Sequence, residues 1–324
     1  MKLEIKNLKV FFNTREGVIK AINDISLTVH SGQIIGIVGE SGSGKSVTGL
    51  SIMRLLDKPG EIAEGSILYN NKDLSKINNQ EMQKIRGNEI AMIFQDAMMS
   101  LNPIMKIENQ MIEAIRAHQN ISRKEALLKS IKILSKVGIT NAKNRISSYP
   151  HEFSGGMKQR VAIAIALINK PKLIIADEPT TALDVTTQTQ ILHITQELCK
   201  DNNTALIWIT HDISVLSGLV NEIYVMYAGR IMEKGSVNDI IDSPKHPYTI
   251  GLLGSIPNEK TKGKKLKQIT GMVKSLLNID EGCAFRDRCS FSTNKCMTKP
   301  KKLEITNTHF VNCFNPVLKK NNYE

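Results

Sequence analysis

Aromatic side chains are scarce in this 324-residue sequence: Phe, Tyr and Trp make up 5%, with a single Trp. The lysines crowding its C-terminal part, Lys260, Lys262, Lys264, Lys265 and Lys267, have no rings interleaved among them, as a base-stacking platform for nucleic acid would need. The formal net charge of +12 is therefore assigned to a solvated exterior or an anionic membrane surface, and no nucleic acid is expected as partner. Long apolar runs are missing too. Nothing approaches the ~20 residues a membrane span requires, so any work on a membrane goes through a partner. The opening Met1-Lys2-Leu3-Glu4-Ile5-Lys6 alternates charge with apolar residues and has no continuous hydrophobic region, so a signal peptide is not expected. Cysteines number only five. Without a secretion signal they imply a reducing compartment, where clustered thiols more often bind metal than form disulfides. What is present is 41% hydrophobic residues, in a chain long enough for one large α/β domain and something smaller.

The chain is organised around Gly39-Glu40-Ser41-Gly42-Ser43-Gly44-Lys45-Ser46, which follows the apolar run 34 to 38 and precedes helix-compatible residues 47 to 56. Strand, glycine-rich turn and helix in that order let successive N–H groups and a helix N-terminus face a polyphosphate. Lys45 would reach the β- and γ-phosphates, and the Ser46 hydroxyl would hold Mg²⁺. An ordinary glycine turn with a solvated lysine would explain neither the strand before it nor the helix after it.

In chain order, residues 3 to 12 and 22 to 29 approximate period two and read as antiparallel strands. Phe11 and Phe12 end the first, where either ring could stack on a nucleotide base or serve the core. Residues 66 to 69 and 90 to 94 read as short strands, and the second ends at Gln95, placed to touch a metal or an attacking water. From 104 to 146 apolar residues recur at helical spacing, with Gly138 as a stop, giving a helical block inserted in the α/β core. Phe153-Ser154-Gly155-Gly156-Met157-Lys158-Gln159-Arg160 then opens a helix and repeats the physics of the first glycine turn: small residues, free N–H groups and a positive dipole end. Ser154 alone would be explained as an N-cap, but paired glycines are costly in a helix. Residues 173 to 178 form a buried strand ending in Asp177 and Glu178. Asp177 can bind Mg²⁺ through water, and Glu178 can act as general base on it; capping of the next helix is the structural alternative. Asp184 follows in a polar turn, 185 to 200 is a helix, and 205 to 210 is a strand ending at His211, which could contact a γ-phosphate.

This order of motifs, over about residues 1 to 240, resembles the nucleotide-binding subunit of an ABC transporter. The resemblance implies an α/β P-loop ATPase with an antiparallel β subdomain and an inserted helical subdomain at about 96 to 168, binding ATP and Mg²⁺. Ser46, Gln95 and Asp177 would serve Mg²⁺. It also implies that Ser154, Gly155, Gly156 and Gln159 bind the γ-phosphate held by a second, opposed subunit, with Asp184 nearby and Phe12 at the adenine. The closer resemblance is to the oligopeptide/dipeptide importer ATPases. It rests on Met92-Ile93-Phe94-Gln95-Asp96, Ser100-Leu101-Asn102-Pro103, residues 153 to 161, residues 176 to 185 and His246-Pro247-Tyr248-Thr249. Ala97 stands where that family usually has proline, and Lys158 where arginine is commoner. The partners implied are two multi-span membrane permease subunits, a second homologous ATPase and, indirectly, an extracellular peptide-binding protein. The implied location is the cytoplasmic face of the cell membrane. A nickel or metal-chelate importer of the same family is the alternative, and a soluble ABC ATPase of DNA repair or translation would carry long coiled-coil insertions or two fused cassettes.

Residues 246 to 324 are set apart from an ATPase domain at 1 to 245. They are lysine-rich and poor in large apolar residues, and are expected to lie outside the α/β core. They hold Cys283, Cys289, Cys296 and Cys313, separated by five, six and sixteen residues, wider than most structural zinc pairs. Such a set suits a bulkier inorganic core, with zinc or unligated thiols as alternatives. The importer resemblance implies a [4Fe-4S] cluster, although Asp287 and Ser290 replace residues that are usually proline. Cys199, alone on a helix, reads as a small buried hydrophobe.

Overall fold

The computed structural model describes the chain except residues 97–99, 182, 257–267, 274, 278 and 319–324. Ala97, Ala182 and the lysines at 260, 262, 264, 265 and 267 lie outside the described residues. The chain divides into two units: Met1, Val29–Gln33 and Lys76–Trp208 make the first, and Lys2–Thr28, Ile34–Ser75 and Ile209–Glu324 the second.

In the second unit, strands β1 (Lys2–Thr14), β2 (Gly17–His30), β4 (Gly60–Tyr69) and β5 (Lys72–Asp73) form a sheet in the order β2-β1-β4-β5. The alternation of β1 slips by one residue: Leu3 and Ile5 are buried, then Leu8 and Val10. The slip occurs where the antiparallel register with β4 shifts between Lys6 and Lys9, and where Asn7 takes a left-handed φ of 47°. A bulge there keeps both halves of the strand facing one core. The same unit holds β3 (Ile34–Val38), parallel to β9 (Glu222–Tyr227), which turns back into β10 (Arg230–Ser236). Helix α1 (Lys45–Met53) leaves β3 through the glycine-rich turn.

The first unit carries β6 (Ile90–Ile93) and β7 (Leu173–Asp177), paired in parallel with Ile90 opposite Leu173 and Ile93 opposite Ala176. Strand β7 is buried along its whole length, as expected of a strand covered on both faces. After α2 (Asn79–Ile85), the expected helical block is present as α3 (Ile107–Arg116), α4 (Arg123–Lys136) and the short α5 (Ala142–Arg145). Helix α4 begins at a capping box of Ser122 and Glu125 and stops just before Gly138. Helix α6 (Gly155–Leu167) packs with α3 and α4, and α7 (Val185–Asp201) leads to β8 (Ala205–Thr210).

Residues beyond 246 depart from expectation. Strand β12 (Phe310–Val311) pairs with β10 and with β11 (Leu303–Glu304), so the C-terminal extension adds to the sheet. Helices α8 (Val237–Asp242) and α9 (Pro247–Gly254) run on from β10. Buried polar groups and buried rings both hold it there. Glu233 on β10 is 0% exposed; it accepts the Lys245 and His246 N–H groups at 2.6 and 2.9 Å, and His309 Nε2 lies 2.8 Å away. Arg230 donates to the carbonyls of Asp280, Glu281 and Gly282. A buried carboxylate must be paired, and here its partners come from the extension. Tyr227, Tyr248 and Phe285 add a ring cluster with centroids 4.7 to 5.3 Å apart.

His246 caps α9 by accepting the Tyr248 N–H at Nδ1, and it is buried. Burial holds its pKa at about 4, outweighing the pull of Glu233 upward. The unfolded chain therefore binds a proton between about pH 6.5 and 4 that the native state refuses, and stability falls as pH drops through that window. The loss should approach about 3 kcal/mol. His246→Asn keeps a cap acceptor and should flatten this part of the urea-unfolding profile; an unchanged slope would contradict the assignment.

Candidate nucleotide site

The glycine-rich turn is shaped by what its backbone touches. A Cβ at Gly39 would lie 2.1 Å from the Met226 carbonyl oxygen, and one at Gly44, where φ is 96°, would lie 2.5 Å from the Ala21 carbonyl oxygen. Gly44 is the N-cap of α1 and supplies no capping side chain, so the first turn keeps its N–H groups for other acceptors. Lys45 is 4% exposed, and its ammonium donates to the carbonyls of Gly39 at 2.8 Å and Glu40 at 3.0 Å. The charge is thus parked inside the loop. The Ser43 hydroxyl is buried with no hydrogen-bond partner among the described residues, while Ser41 and Gly42 are exposed and Ser46 is half-buried in the first turn of the helix. The turn is a cradle of donors with one orphaned hydroxyl, which is what a phosphate chain would satisfy.

Two further expected residues lie in the same unit. Phe12 is opposite Gly60 in the β1–β4 ladder, and its ring occupies the space a Gly60 Cβ would need, at 2.5 Å; Phe11 is opposite Glu61. Both rings are half-buried. His211 follows β8 directly and is exposed.

In the first unit the expected carboxylates and glutamine come together. Asp177 ends β7 and is buried, while Glu178, one residue on, takes a left-handed φ of 45°. That backbone is uncommon for glutamate and costs of order 1 kcal/mol or more. It turns the carboxylate so that Oε2 accepts from Gln95 Nε2 at 3.3 Å and from the Thr181 hydroxyl at 3.1 Å. Gln95 itself is exposed, just past β6. The two strand ends thus deliver one amide-carboxylate pair across 83 residues of sequence.

Ser154 caps α6, its hydroxyl accepting the Met157 N–H at 3.4 Å. The paired glycines divide. A Cβ at Gly156 would meet Thr187 Cγ2 of α7 at 2.8 Å, so packing accounts for it, whereas one at Gly155 would meet nothing within 4 Å. Gln159 is buried on the inner side of the helix, and its amide nitrogen has no partner among the described residues. Asp184 caps α7. The Thr186 hydroxyl and the Thr187 N–H hold its carboxyl well below the usual carboxylate range.

Among the four cysteines of the extension, Cys283 and Cys296 are buried and Cys289 and Cys313 half-buried. The Cys283 N–H donates to the Cys296 carbonyl at 2.8 Å. Among the described residues, no three His, Cys, Asp or Glu side chains are grouped to hold a metal ion. Cys199 is buried, with its thiol pushed up to about 12 by burial, as suits a small hydrophobe.

Sequence reasoning missed two residues at the loop. The Glu40 N–H donates to the Tyr248 hydroxyl at 2.9 Å, and the Glu40 carboxylate is gripped by Arg288 at 2.7 and 3.2 Å. These partners are 208 and 248 residues away in sequence, and no local pattern marks either. Tyr248 lies inside the His246-Pro247-Tyr248-Thr249 motif, which was the available hint.

Comparison with known proteins accounts for the arrangement. Residues 22–181 match the family described as ABC transporter, and residues 232–296 match the oligopeptide/dipeptide transporter C-terminal region. The chain is 47% identical over 312 residues to the oligopeptide transport ATP-binding protein OppD of Haemophilus influenzae, covering 96% of each. It is 45% identical to the OppD proteins of Escherichia coli, covering 97% of this chain and 93% of that one, and of Bacillus subtilis, covering 95% and 87%. A solved ATP-binding cassette, dimeric and bound to ADP and phosphate after hydrolysis, superposes with a TM-score of 0.66 at 27% identity, covering 72% of this chain and 98% of that one. With its glycine-rich turn, its acidic strand end and its matched C-terminal region, the chain belongs to the ATP-binding proteins of ABC transporters, in the oligopeptide transport branch.

Proposed function

We infer that this chain is the ATP-hydrolysing subunit that energises oligopeptide import by a membrane ABC transporter. The observation that carries the reading is the presence on one chain of both matched regions, the cassette at 22–181 and the peptide-transporter C-terminal region at 232–296. The names of the relatives favour oligopeptides over nickel or a metal chelate. Among the described residues no helix is long and apolar enough to cross a membrane, so translocation is assigned to two permease subunits. A second ATPase completes the pair, with a peptide-binding protein outside and this chain on the cytoplasmic face. The ATPase domain is taken as 1 to 245, with its helical part at about 96 to 168, and the extension as 246 to 324.

On binding ATP, Lys45 exchanges the Gly39 and Glu40 carbonyls for β- and γ-phosphate oxygens, and the backbone N–H groups of 39 to 46 line the phosphate chain. Phe12 stacks on the adenine, and His211 contacts the γ-phosphate. The Ser46 hydroxyl, Gln95 and, through water, the buried carboxylate of Asp177 are hard oxygen donors suited to Mg²⁺. Mg²⁺, when bound, neutralises charge on the transferred phosphoryl group. Glu178 takes the proton of the attacking water as its oxygen bonds to the γ-phosphorus and the bond to ADP breaks. Its hydrogen bonds from Gln95 and Thr181 hold the carboxylate in place for this. Ser154, Gly155 and Gly156 serve the γ-phosphate of an opposed subunit, with Asp184 ordering the adjoining helix start. The exposure of Ser154 and the open space in front of Gly155 support that role. Gln159, buried on the inner side of the helix, does not take the role the resemblance implies.

Cys283, Cys289, Cys296 and Cys313 are assigned to a structural [4Fe-4S] cluster. Support comes from the Asn315 N–H, which donates to Cys313 Sγ at 3.3 Å; Thr293 Oγ1 also lies 3.8 Å from Cys296 Sγ. Donors to sulfur suit cluster thiolates. Burial raises the pKa of Cys283, Cys289 and Cys313, and a cationic core would offset this by favouring thiolate.

In proteoliposomes containing the two permeases and the second ATPase, labelled oligopeptide uptake should depend on ATP and on this chain; uptake of Ni²⁺ but not peptide would sink the substrate assignment. Glu178→Gln should retain ATP binding and lower turnover by about 100-fold or more, and near-normal phosphate release would remove its role as base. Protein purified without oxygen should be brown, with iron and sulfide at about 1:1, and Cys289→Ser should bleach it. Stoichiometric zinc without sulfide would replace the cluster with a zinc site.

A further inference from the structure

A carboxylate inside an anion-binding loop works against its ligand. Glu40 is the second residue of the glycine-rich turn, and its charge would repel a polyphosphate unless it were neutralised. The chain supplies that neutralisation from the extension. Arg288 is only 7% exposed at its side chain and forks onto Glu40, Nη1 to Oε2 at 2.7 Å and Nη2 to Oε1 at 3.2 Å. Its remaining donors are used as well: Nε binds the Thr270 carbonyl at 2.9 Å, Nη1 also reaches the Tyr227 hydroxyl at 3.2 Å, and Nη2 the Ile269 carbonyl at 3.4 Å. The guanidinium lies 5.7 and 5.8 Å from the ring centroids of Tyr227 and Phe285. Such a fork, stacked and walled in, fixes both the charge and the orientation of its carboxylate in a way a lysine cannot.

The backbone of the same residue is held independently. The Glu40 N–H donates to the hydroxyl of Tyr248, which is fully buried, and the Glu40 carbonyl accepts from Ser43 N–H and Lys45. Of the groups Glu40 presents, the extension takes the N–H and the carboxylate, and the loop itself takes the carbonyl.

We propose that Arg288 is a positioning residue for nucleotide binding: by neutralising and orienting Glu40 it sets the affinity of the glycine-rich turn for the phosphate chain. The extension thereby acts on the ATPase through this ion pair. The proposal rests on the reading of residues 39 to 46 as the ATP site and deepens it.

The test is a double-mutant cycle on the full-length chain, reading the Kd for Mg-ATP by calorimetry and the KM and kcat of the assembled transporter. Arg288→Gln should raise Kd and KM about tenfold, the loss of a partly buried charge-assisted pair, with kcat changed less than about twofold, because the positioned group acts on ground-state binding. In a Glu40→Gln background, where the repelling charge is gone, Arg288→Gln should change Kd by less than about twofold. Arg288→Lys keeps the charge and loses the fork, so it should fall between wild type and Arg288→Gln. It also carries the test if limited proteolysis shows that Arg288→Gln loosens the extension. Wild-type Kd in Arg288→Gln, or equal losses with and without the Glu40 carboxylate, would overturn the proposal; in the second case Arg288 only packs. Failure of the wild-type chain to bind Mg-ATP would instead overturn the nucleotide reading on which it stands.

Discussion

A polyphosphate can be held by backbone N–H groups only if the backbone comes close enough to touch it, and side chains at the point of approach prevent that. The turn from Gly39 to Ser46 is built on this constraint. Glycines stand where a Cβ would strike the carbonyl oxygens of Met226 or Ala21, so the loop is pressed against neighbouring strands on one side and left with donors on the other. Lys45 is held against the loop's own carbonyls, which keeps a buried cation satisfied.

The end of β7 follows a different logic, in which a carboxylate is aimed by backbone geometry. Strand β7 is apolar to its last residues, and the chain then changes hand at Glu178. An uncommon φ is tolerated because the amide of Gln95 and the hydroxyl of Thr181 bind the resulting carboxylate. Asp184, by contrast, is committed to capping its own helix, and Gly156 is required by Thr187. Of the second glycine-rich element, Ser154 and Gly155 are what the chain presents outward.

The extension shows why counting apolar residues misjudges a tail. Few large hydrophobic side chains place this segment, on sequence alone, outside the α/β core. It nevertheless buries Tyr248, Phe285 and Val311, and it also satisfies buried polar groups on β10. Glu233 and Arg230 on β10 take their partners from residues 245, 246, 280 to 282 and 309. An unpaired buried carboxylate or guanidinium would cost several kcal/mol, so the tail closes on the strand that needs it.

Elements whose signals are local were legible in the residues themselves. The strand at 205 to 210 was read with the bounds it has, and the helix read as 185 to 200 runs Val185–Asp201. The glycine-rich turn, the Gln95 strand end and the acidic pair are each visible because hydrogen-bond chemistry and hydrophobic period act within about ten residues. Strands β9 and β10 went unread, as did the slip at Asn7, because an antiparallel return and a bulge are decided by the neighbouring strand rather than by the segment. That β12 would join β10, and that Tyr248 and Arg288 would grip Glu40 from more than 200 residues away, is set by which distant groups the fold brings together. The sequence by itself determined the chemistry of each loop. Only the tertiary structure decided which distant groups satisfy one another, since the cost of burying a charge depends on where the whole chain places its partner.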